Sequence, residues 1–206
     1  MNIKNKKESS AMNDEVEIKN TLMIRCEWLN EDKLYIKYHD EEWGVPQFDN
    51  FRLFEMLCLE GQQAGLSWLT ILKKRNNYRR LFYNFNPYKV CQIKKEEIDD
   101  ILLDSGIVRH RGKVISIINN SKSYVTMESN GENFSDFVWS FVDNKPIINT
   151  WKSSGDIPSQ TPTSAALSSA LKKKGFTYVG PTICYAFMQA CGLVNDHILS
   201  CVSRKI

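Results

Sequence analysis

Two pairs of possible metal ligands lie near opposite ends of this 206-residue chain. Twelve residues separate Cys26 from His39, and three separate His197 from Cys201. Thiolate and imidazole are ligands that Zn²⁺ prefers, and four of them complete a tetrahedron with no position left open for water or substrate. About one hundred and fifty residues lie between the two pairs, far more than in a zinc finger. A zinc ion held here would tie the two ends of the chain together and would do no chemistry itself.

The alternative is that these cysteines are ordinary core residues, because free cysteine is among the most buried residue types. Three of the six cysteines lie inside apolar runs, where packing is the expected role: Cys58, Cys184 and Cys191. Cys26 and Cys201 instead lie near two of the only three histidines. Spacing alone leaves zinc binding and core packing open for this pair.

A carboxylate on an apolar helix face indicates a binding pocket. Asp49 is a suitable N-cap, and Leu53, Leu57 and Glu60 follow it at the i, i+4 and i+7 positions of one face. Glu60 should therefore be buried. A buried carboxylate without a partner is costly, and a ligand's amino group or positive charge could supply that partner.

Aromatic residues near this carboxylate predict a pocket for a flat base. Tyr35, Tyr38 and Trp43 are interleaved with charged residues, and Trp68 follows the glycine-bracketed segment 61–67. Stacking of a base on an aromatic ring contributes roughly 1 to 3 kcal/mol, and a cationic base gains further from a π face. Core packing is the alternative for each ring taken singly.

The segment 61–67 also suggests how a base could be displaced from a duplex. An enzyme that acts on a base must extrude it, and the gap has to be filled. Leu66, between Gly65 and Ser67, is an apolar residue on a flexible loop, and such a residue can act as a wedge between base steps.

A hairpin beginning at Gly106 supplies a possible phosphate site. Backbone N–H groups at the start of the helix that follows can bind an anion, and basic side chains lie beside them. The basic residues predicted to contact phosphate are Arg109, Arg111 and Lys113. Solvated helix ends are the alternative explanation for such basic clusters.

The periodicity predicts an all-α fold, because strand signals are nearly absent and apolar residues recur at helical spacing. Ser105 and Gly106 are expected to end one helix as a left-handed cap. The helix that follows Gly180 is apolar nearly all round and should lie in the middle of the protein. The predicted helices cover about 49–61, 67–74, 77–82, 96–103, 113–124, 134–141, 164–174 and 181–191.

Length and composition favour one folded domain, over residues 23–206, with two helical lobes around one cleft. Residues 1–22 are polar and without period, and a disordered extension is expected there. Neither a secretory signal nor a bilayer-spanning run is recognisable, so a cytoplasmic protein with reduced thiols is predicted. The net charge of +3 is mild, and the basic residues matter only where they cluster.

The sequence resembles the DNA-3-methyladenine glycosylase I (Tag) family from about residue 25 to residue 201. The blocks that carry the resemblance are RCEW (25–28), YHDEEWGVP (38–46), LFEMLCLEGQQAGLSW (53–68), IVRHRGK (107–113), DFVWSFV (136–142) and CYAFMQACGLVNDH (184–197). Several of them are long enough to be specific to that family.

This resemblance implies a helix-hairpin-helix DNA-repair fold and one structural zinc ion, held by both terminal Cys/His pairs. It implies that Glu60 and Tyr38 hydrogen-bond the edge of the excised adenine while Trp68 stacks on it. Trp43 and Tyr35 match the aromatic segment with less defined roles. The implied partner is double-stranded DNA containing alkylated bases, and a monomer is expected.

The implied reaction is hydrolytic excision of 3-methyladenine, which leaves an abasic site without a lyase step. Related glycosylases use an aspartate after the hairpin, but Asp136 should point away from the apolar face of its helix and act on the helix dipole. The cationic base is already a good leaving group, so extrusion and selective binding can carry the reaction. Two alternatives are a non-catalytic module that binds modified bases and a zinc hydrolase, which the closed ligand set disfavours.

Overall fold

The computed structural model describes residues 23–204, and helices dominate this part of the chain. The disordered extension predicted for residues 1–22 lies outside the described residues. The α-helices in chain order are α1 (Lys33–Glu41), α2 (Asn50–Gln63), α3 (Trp68–Leu81), α4 (Pro87–Val90), α5 (Lys95–Leu103), α6 (Arg111–Ser129), α7 (Phe134–Trp139), α8 (Pro162–Lys173) and α9 (Pro181–Ala190). Short 3₁₀ segments cover Tyr83–Phe85, Ser140–Val142 and Ser154–Asp156.

Side-chain caps fix where the first three helices begin. Asp32 accepts a hydrogen bond from the N–H of Leu34 at 3.0 Å before α1, and Asp49 accepts one from Arg52 at 2.9 Å before α2. Ser67 caps α3 in the same way. Each cap satisfies an N–H that the first turn would otherwise leave unpaired. The predicted N-cap role of Asp49 is confirmed.

Helix α3 is continuous, and the prediction of two helices over 67–82 is wrong. Trp68, Ile71, Leu72 and Tyr78 are all buried in it, so one apolar stripe runs along its length. Asparagines occupy positions 76 and 77, and an asparagine in a helix costs only about half a kcal/mol. Burial of this stripe outweighs that cost.

One short β-pair modifies the all-α prediction. Strands β1 (Ile147–Ile148) and β2 (Val194–Asn195) pair in parallel, with Ile147 opposite Val194. The pair joins the loop after α7 to the segment just before His197. Two residues per strand are too few to leave an alternation in the sequence, which is why the pattern did not predict them.

The core is built around α9, as its apolar composition predicted. This helix packs against α8 and α2, and five of its residues are buried. Helix α6 packs against α2, α4 and α5. Among residues 23–204, no helix is both long and apolar enough to span a bilayer.

The predicted hairpin connects α5 to α6, but its cap differs from the prediction. Asp104 follows α5 in an extended conformation, and Gly106 does not adopt a positive φ. A Cβ at position 106 would lie 2.6 Å from the side chain of Asn77, so a larger residue would require that side chain to move. The hairpin is held against α3, where Lys74 Nζ donates to the carbonyl of Ser105 at 2.8 Å.

Candidate functional site

A cavity of about 330 Å³ lies between α1, α2, α3 and α9. The five residues that the sequence predicted for a base pocket all line it: Tyr35, Tyr38, Trp43, Glu60 and Trp68. The further lining residues are Trp28, Gln63, Ser154, Ile157, Pro158, Ser159, Thr182, Tyr185, Ala186 and Gln189. The structure therefore brings together residues from four helices, the segments before and after α1, and the loop that contains the 3₁₀ turn at 154–156.

Glu60 is the charged group in this cavity, and it is buried as predicted. It lies on the last turn of α2 and is 3% exposed. Its Oε2 atom has no hydrogen-bond partner within the described residues. Burial raises the pKa of Glu60 to about 8, because the carboxylate form loses its hydration. A ligand that donates a hydrogen bond or carries positive charge would stabilise the ionised form.

Trp68 supplies a second unpartnered polar atom. Its Nε1 is buried without a hydrogen-bond partner in the described residues. Its ring lies 5.4 Å from that of Tyr38, centroid to centroid. Buried polar groups are nearly always paired, so two unpaired atoms on residues lining one cavity indicate that a polar ligand completes the site.

Trp28 was missed by the sequence reasoning. Its ring lies 5.0 Å from that of Trp43 and 5.1 Å from that of Tyr35, so it joins the aromatic wall. It comes two residues after Cys26. A metal that joins Cys26 to the α1 residue His39 would place Trp28 beside the aromatic residues of α1, and that was the available signal.

Asp196, also missed, is fully buried and organises the α9 side of the cavity. Its Oδ2 accepts hydrogen bonds from Tyr185 at 2.5 Å and from Gln189 at 2.8 Å, and both donors line the cavity. Its Oδ1 accepts from Asn149 at 2.7 Å and from Trp151 at 2.8 Å. One carboxylate thus connects α9 to the segment that leads into the lining loop.

The two terminal Cys/His pairs meet in one buried cluster that could hold a metal ion. The ligand atoms of Cys26, His39, His197 and Cys201 all lie within 4.8 Å of one another. Cys201 Sγ is 3.5 Å from His39 Nε2 and 3.3 Å from His197 Nδ1, and Cys26 Sγ is 3.6 Å from the same His197 Nδ1. Tetrahedral zinc with usual bond lengths would separate such S and N atoms by about 3.5 Å. The four residues fit such an ion.

Hydrogen bonds orient both imidazoles toward this cluster. His39 Nδ1 lies 2.7 Å from Oδ1 of Asp40, and His197 Nε2 lies 3.1 Å from the carbonyl of Trp43. A carbonyl can only accept, so the His197 proton is on Nε2 and the lone pair of Nδ1 faces the sulfur atoms. Outer hydrogen bonds of this kind commonly fix the tautomer of a metal ligand.

The loop between α2 and α3 contains Leu66, the residue predicted to act as a wedge. Gly65 has φ of +76°, and the Leu66 side chain is 41% exposed. Ser67 then caps α3, which begins with Trp68. An exposed leucine lies two positions from a residue of the cavity.

The basic residues of the hairpin do not all face solvent. Arg109 and Arg111 are exposed, and Arg111 forms an ion pair with Asp99. Lys113 is only 6% exposed, and its ammonium group donates to the carbonyls of Gln62 at 2.8 Å and Ala64 at 2.6 Å. Of the three basic residues predicted to contact phosphate, Lys113 is thus the one whose side chain is bonded to the end of α2.

Enzymes that act on a base must hold it outside the duplex. A helical protein whose cavity offers flat rings and one unpartnered carboxylate suits a DNA glycosylase, and the comparisons with known proteins agree. A family model described as methyladenine glycosylase matches residues 28–205. The chain therefore belongs to the DNA-3-methyladenine glycosylase I family, whose members are hydrolases that act on N-glycosidic bonds.

Individual relatives are similar over nearly their whole length. DNA-3-methyladenine glycosylase 1 of Escherichia coli (strain K12) is 58% identical over 179 residues, which are 87% of this chain and 96% of that protein. A crystal structure of a 3-methyladenine DNA glycosylase I has a TM-score of 0.87 at 56% identity and covers 88% of this chain and 100% of its own. A Staphylococcus aureus structure, described as the basis of 3-methyladenine recognition, has a TM-score of 0.86 at 39% identity, with coverage of 90% and 98%.

Proposed function

We propose that this protein excises 3-methyladenine from alkylated double-stranded DNA by hydrolysis of the N-glycosidic bond and leaves an abasic site. The observation that carries this proposal is the unpartnered Oε2 of Glu60 inside an aromatic cavity. The cavity would take the extruded base. The names of the relatives support the choice of substrate.

The chemistry follows from the charge of the damaged base. Alkylation at N3 gives the adenine ring a positive charge in DNA, which weakens the glycosidic bond and makes the base a good leaving group. In the cavity, the Glu60 carboxylate would stabilise that charge at a site with little competing water. Tyr38 would share the recognition of the base edge, and Trp68 would stack on the ring.

Selectivity would arise from the same arrangement. An undamaged adenine is neutral and would not compensate Glu60, whose carboxylate is costly to keep ionised. A cationic base would therefore be favoured over a normal one. Trp43 and Tyr35 would complete the wall and limit the shape that the cavity accepts.

The chain offers no residue for a lyase step within the described cavity. A Schiff base needs an amine close to the sugar, and no lysine lines the cavity among residues 23–204. Asp136, the aspartate after the hairpin, is exposed on the first turn of α7. An acidic side chain at this position favours the positive end of the helix dipole, which supports a structural role for Asp136 and a monofunctional reaction.

DNA would be held by the two elements next to this cavity. Leu66 would fill the gap in the duplex, with Gly65 providing the turn. The start of α6 would receive a phosphate, with Arg109 and Arg111 exposed beside it. The hairpin that begins at Gly106 is fixed against α3, so this grip would be rigid.

The metal in the Cys/His cluster is proposed to be one zinc ion with a structural role. Cys26, His39, His197 and Cys201 supply a complete tetrahedral set, which leaves no position for substrate. The zinc, when bound, would hold the segment before α1 and the helix α1 against the C-terminal segment. A monomer and a cytoplasmic location remain predictions of the sequence.

Released bases provide the test of this function. Methylated duplex DNA is incubated with zinc-loaded protein, and the free bases are separated by chromatography. We expect free 3-methyladenine, with release slowed roughly 100-fold in Glu60→Gln. Glu31→Gln, the same change on an exposed residue, is the matched control and should act as the wild type does.

The same assay distinguishes an enzyme from a non-catalytic module that only binds modified bases. Absence of free 3-methyladenine with zinc-loaded wild type would refute the enzyme proposal. Glu60-dependent binding of methylated DNA without any release would then identify a non-catalytic protein that recognises modified bases.

A further inference from the structure

The buried side chain of Lys113 connects the start of α6 to the end of α2. Among the described residues no carboxylate forms an ion pair with it, and its partners are the carbonyls of Gln62 and Ala64. Carbonyls at the C-terminal end of a helix carry partial negative charge, so this end of α2 is a suitable partner for a cation. Burial of a cation without a carboxylate partner is unfavourable, so a functional reason for this arrangement is to be sought.

The connection runs in both directions. Gln62 Nε2 donates to the carbonyl of Lys113 at 3.0 Å, so each residue bonds the backbone of the other. Tyr78 OH donates to Gln62 Oε1 at 3.4 Å and accepts from the N–H of Val108 at 3.0 Å. The end of α2, the last turn of α3, the hairpin and the start of α6 are thus joined by one hydrogen-bond network.

This network contacts the chain between the cavity residue Glu60 and the exposed Leu66 loop. The two carbonyls that Lys113 binds flank Gln63, which lines the cavity. They belong to residues two and four positions after Glu60, at the C-terminal end of α2. Gly65 and Leu66 come immediately after Ala64. Besides the Lys113 bond, the backbone of this turn is held by Leu66 N–H donating to the carbonyl of Gln63 at 2.6 Å.

We propose that Lys113 is a positioning residue that couples docking of the hairpin on the DNA backbone to the placement of the Leu66 loop and the Glu60 wall. The inference rests on the proposed excision reaction. Lys113 acts through the carbonyls of α2 and does not contact phosphate. When the hairpin is bound to the DNA backbone, the Lys113 side chain fixes the backbone next to Leu66, so that Leu66 can occupy the position vacated by the base.

The test compares Lys113→Met with Lys122→Met. Methionine keeps the length of the side chain and removes its donors, and Lys122 is an exposed residue of the same helix. Three quantities are measured on zinc-loaded protein: single-turnover release from methylated duplex DNA, affinity for free 3-methyladenine by tryptophan fluorescence, and affinity for duplex with an abasic-site analogue over a series of salt concentrations.

We expect Lys113→Met to slow release by 10-fold to 100-fold, because a small misplacement of positioning groups has effects of that order. Affinity for the free base should change by less than about twofold, and the salt dependence of DNA affinity should match the wild type, since no phosphate contact is lost. Lys122→Met should be unchanged in all three measurements.

Two results would overturn the proposal while the proposed function stands. A salt slope smaller by about one in Lys113→Met would reveal a direct phosphate contact. If Lys113→Met lost base affinity and base release to the same extent, Lys113 would be a residue that supports the fold in general. Should Lys113→Met fail to fold, Gln62→Leu removes the reciprocal bond without removing the buried charge, and the same split between release and base affinity is expected. If wild type itself releases no base, the proposed function fails and this role falls with it.

Discussion

The Nε2 atom of His197 lies 3.1 Å from the carbonyl oxygen of Trp43, and their rings are in edge contact at 4.6 Å between centroids. His197 belongs to the Cys/His cluster, whereas Trp43 lines the cavity. The same imidazole thus faces the ligand cluster with one nitrogen and holds the pocket wall with the other. Loss of metal from the Cys/His cluster should therefore also disturb the pocket wall at Trp43.

Loss of the metal should weaken both the fold and the binding of base. We expect Cys201→Ser to lose most of its zinc and to melt at a lower temperature, because the energy of a structural zinc site contributes directly to folding. Binding of free 3-methyladenine should fall with it, since the Trp43 wall loses its support. Metal analysis, thermal melting and tryptophan fluorescence measure the three effects.

Cys91→Ser is the matched control for this change. Cys91 lies outside the cluster and is partly exposed, and its thiol donates to the carbonyl of Tyr88, a bond that serine can replace. It should keep its zinc and its melting temperature. Zinc loss from Cys201→Ser with base binding intact would contradict the proposed link between cluster and pocket.

The pKa of Glu60 makes stability depend on pH in a defined direction. Burial raises this pKa from 4.5 to about 8, so the folded protein binds the proton more tightly than the unfolded chain does. Stability contributed by the protonated form is then lost as the pH rises from about 4.5 through about 8. Glu60→Gln cannot ionise and should be more stable than wild type by a few kcal/mol at about pH 9.

Urea denaturation of the two proteins over this pH range gives the measurement. The difference in unfolding free energy should be small near pH 4.5 and grow until about pH 8. Loss of metal at low pH affects both proteins, so it cancels in the difference. A difference that stays constant over this range would show that Glu60 is already ionised at low pH in the folded state.

Local periodicity explains why much of the pocket could be predicted. Burial of Glu60 follows from helix geometry within one element, and the aromatic residues of α1 lie close together in sequence. The hydrogen bonds of Lys113 could not be predicted, because its carbonyl partners lie 51 and 49 positions away, and a basic residue beside two arginines suggests an exposed cluster. Asp196 was missed for the same reason, since its partners Asn149 and Trp151 come from a distant loop.

Asp196→Asn should disturb the α9 side of the cavity without removing any lining residue. Four donors converge on the two carboxylate oxygens, and the amide of asparagine would place N–H groups against two of them. We expect a loss of roughly 2 to 4 kcal/mol in stability, as for a broken buried charged hydrogen-bond network. Base affinity should also fall, because Tyr185 and Gln189 lose their anchor.

Asp136→Asn provides the control for that change and a test of a separate prediction. Asp136 is exposed on α7, so its replacement should leave base release and stability nearly unaltered. A large loss of release in Asp136→Asn would instead show that this aspartate takes part in the reaction. Fluorescence titration with free 3-methyladenine and urea denaturation suffice for the Asp196 comparison.

Leu66→Ala should separate extrusion from recognition of the base. Leu66 is 41% exposed on the loop between α2 and α3, and its side chain does not line the cavity. Truncation removes the wedge, so we expect release from duplex DNA to fall by about tenfold or more, whereas affinity for free 3-methyladenine stays within about twofold. Leu34→Ala, at 38% exposure on α1, is a matched control that should show neither change. A defect in Leu66→Ala that was equally large on single-stranded methylated DNA would contradict a wedge, because unpaired bases need no displacement from a duplex.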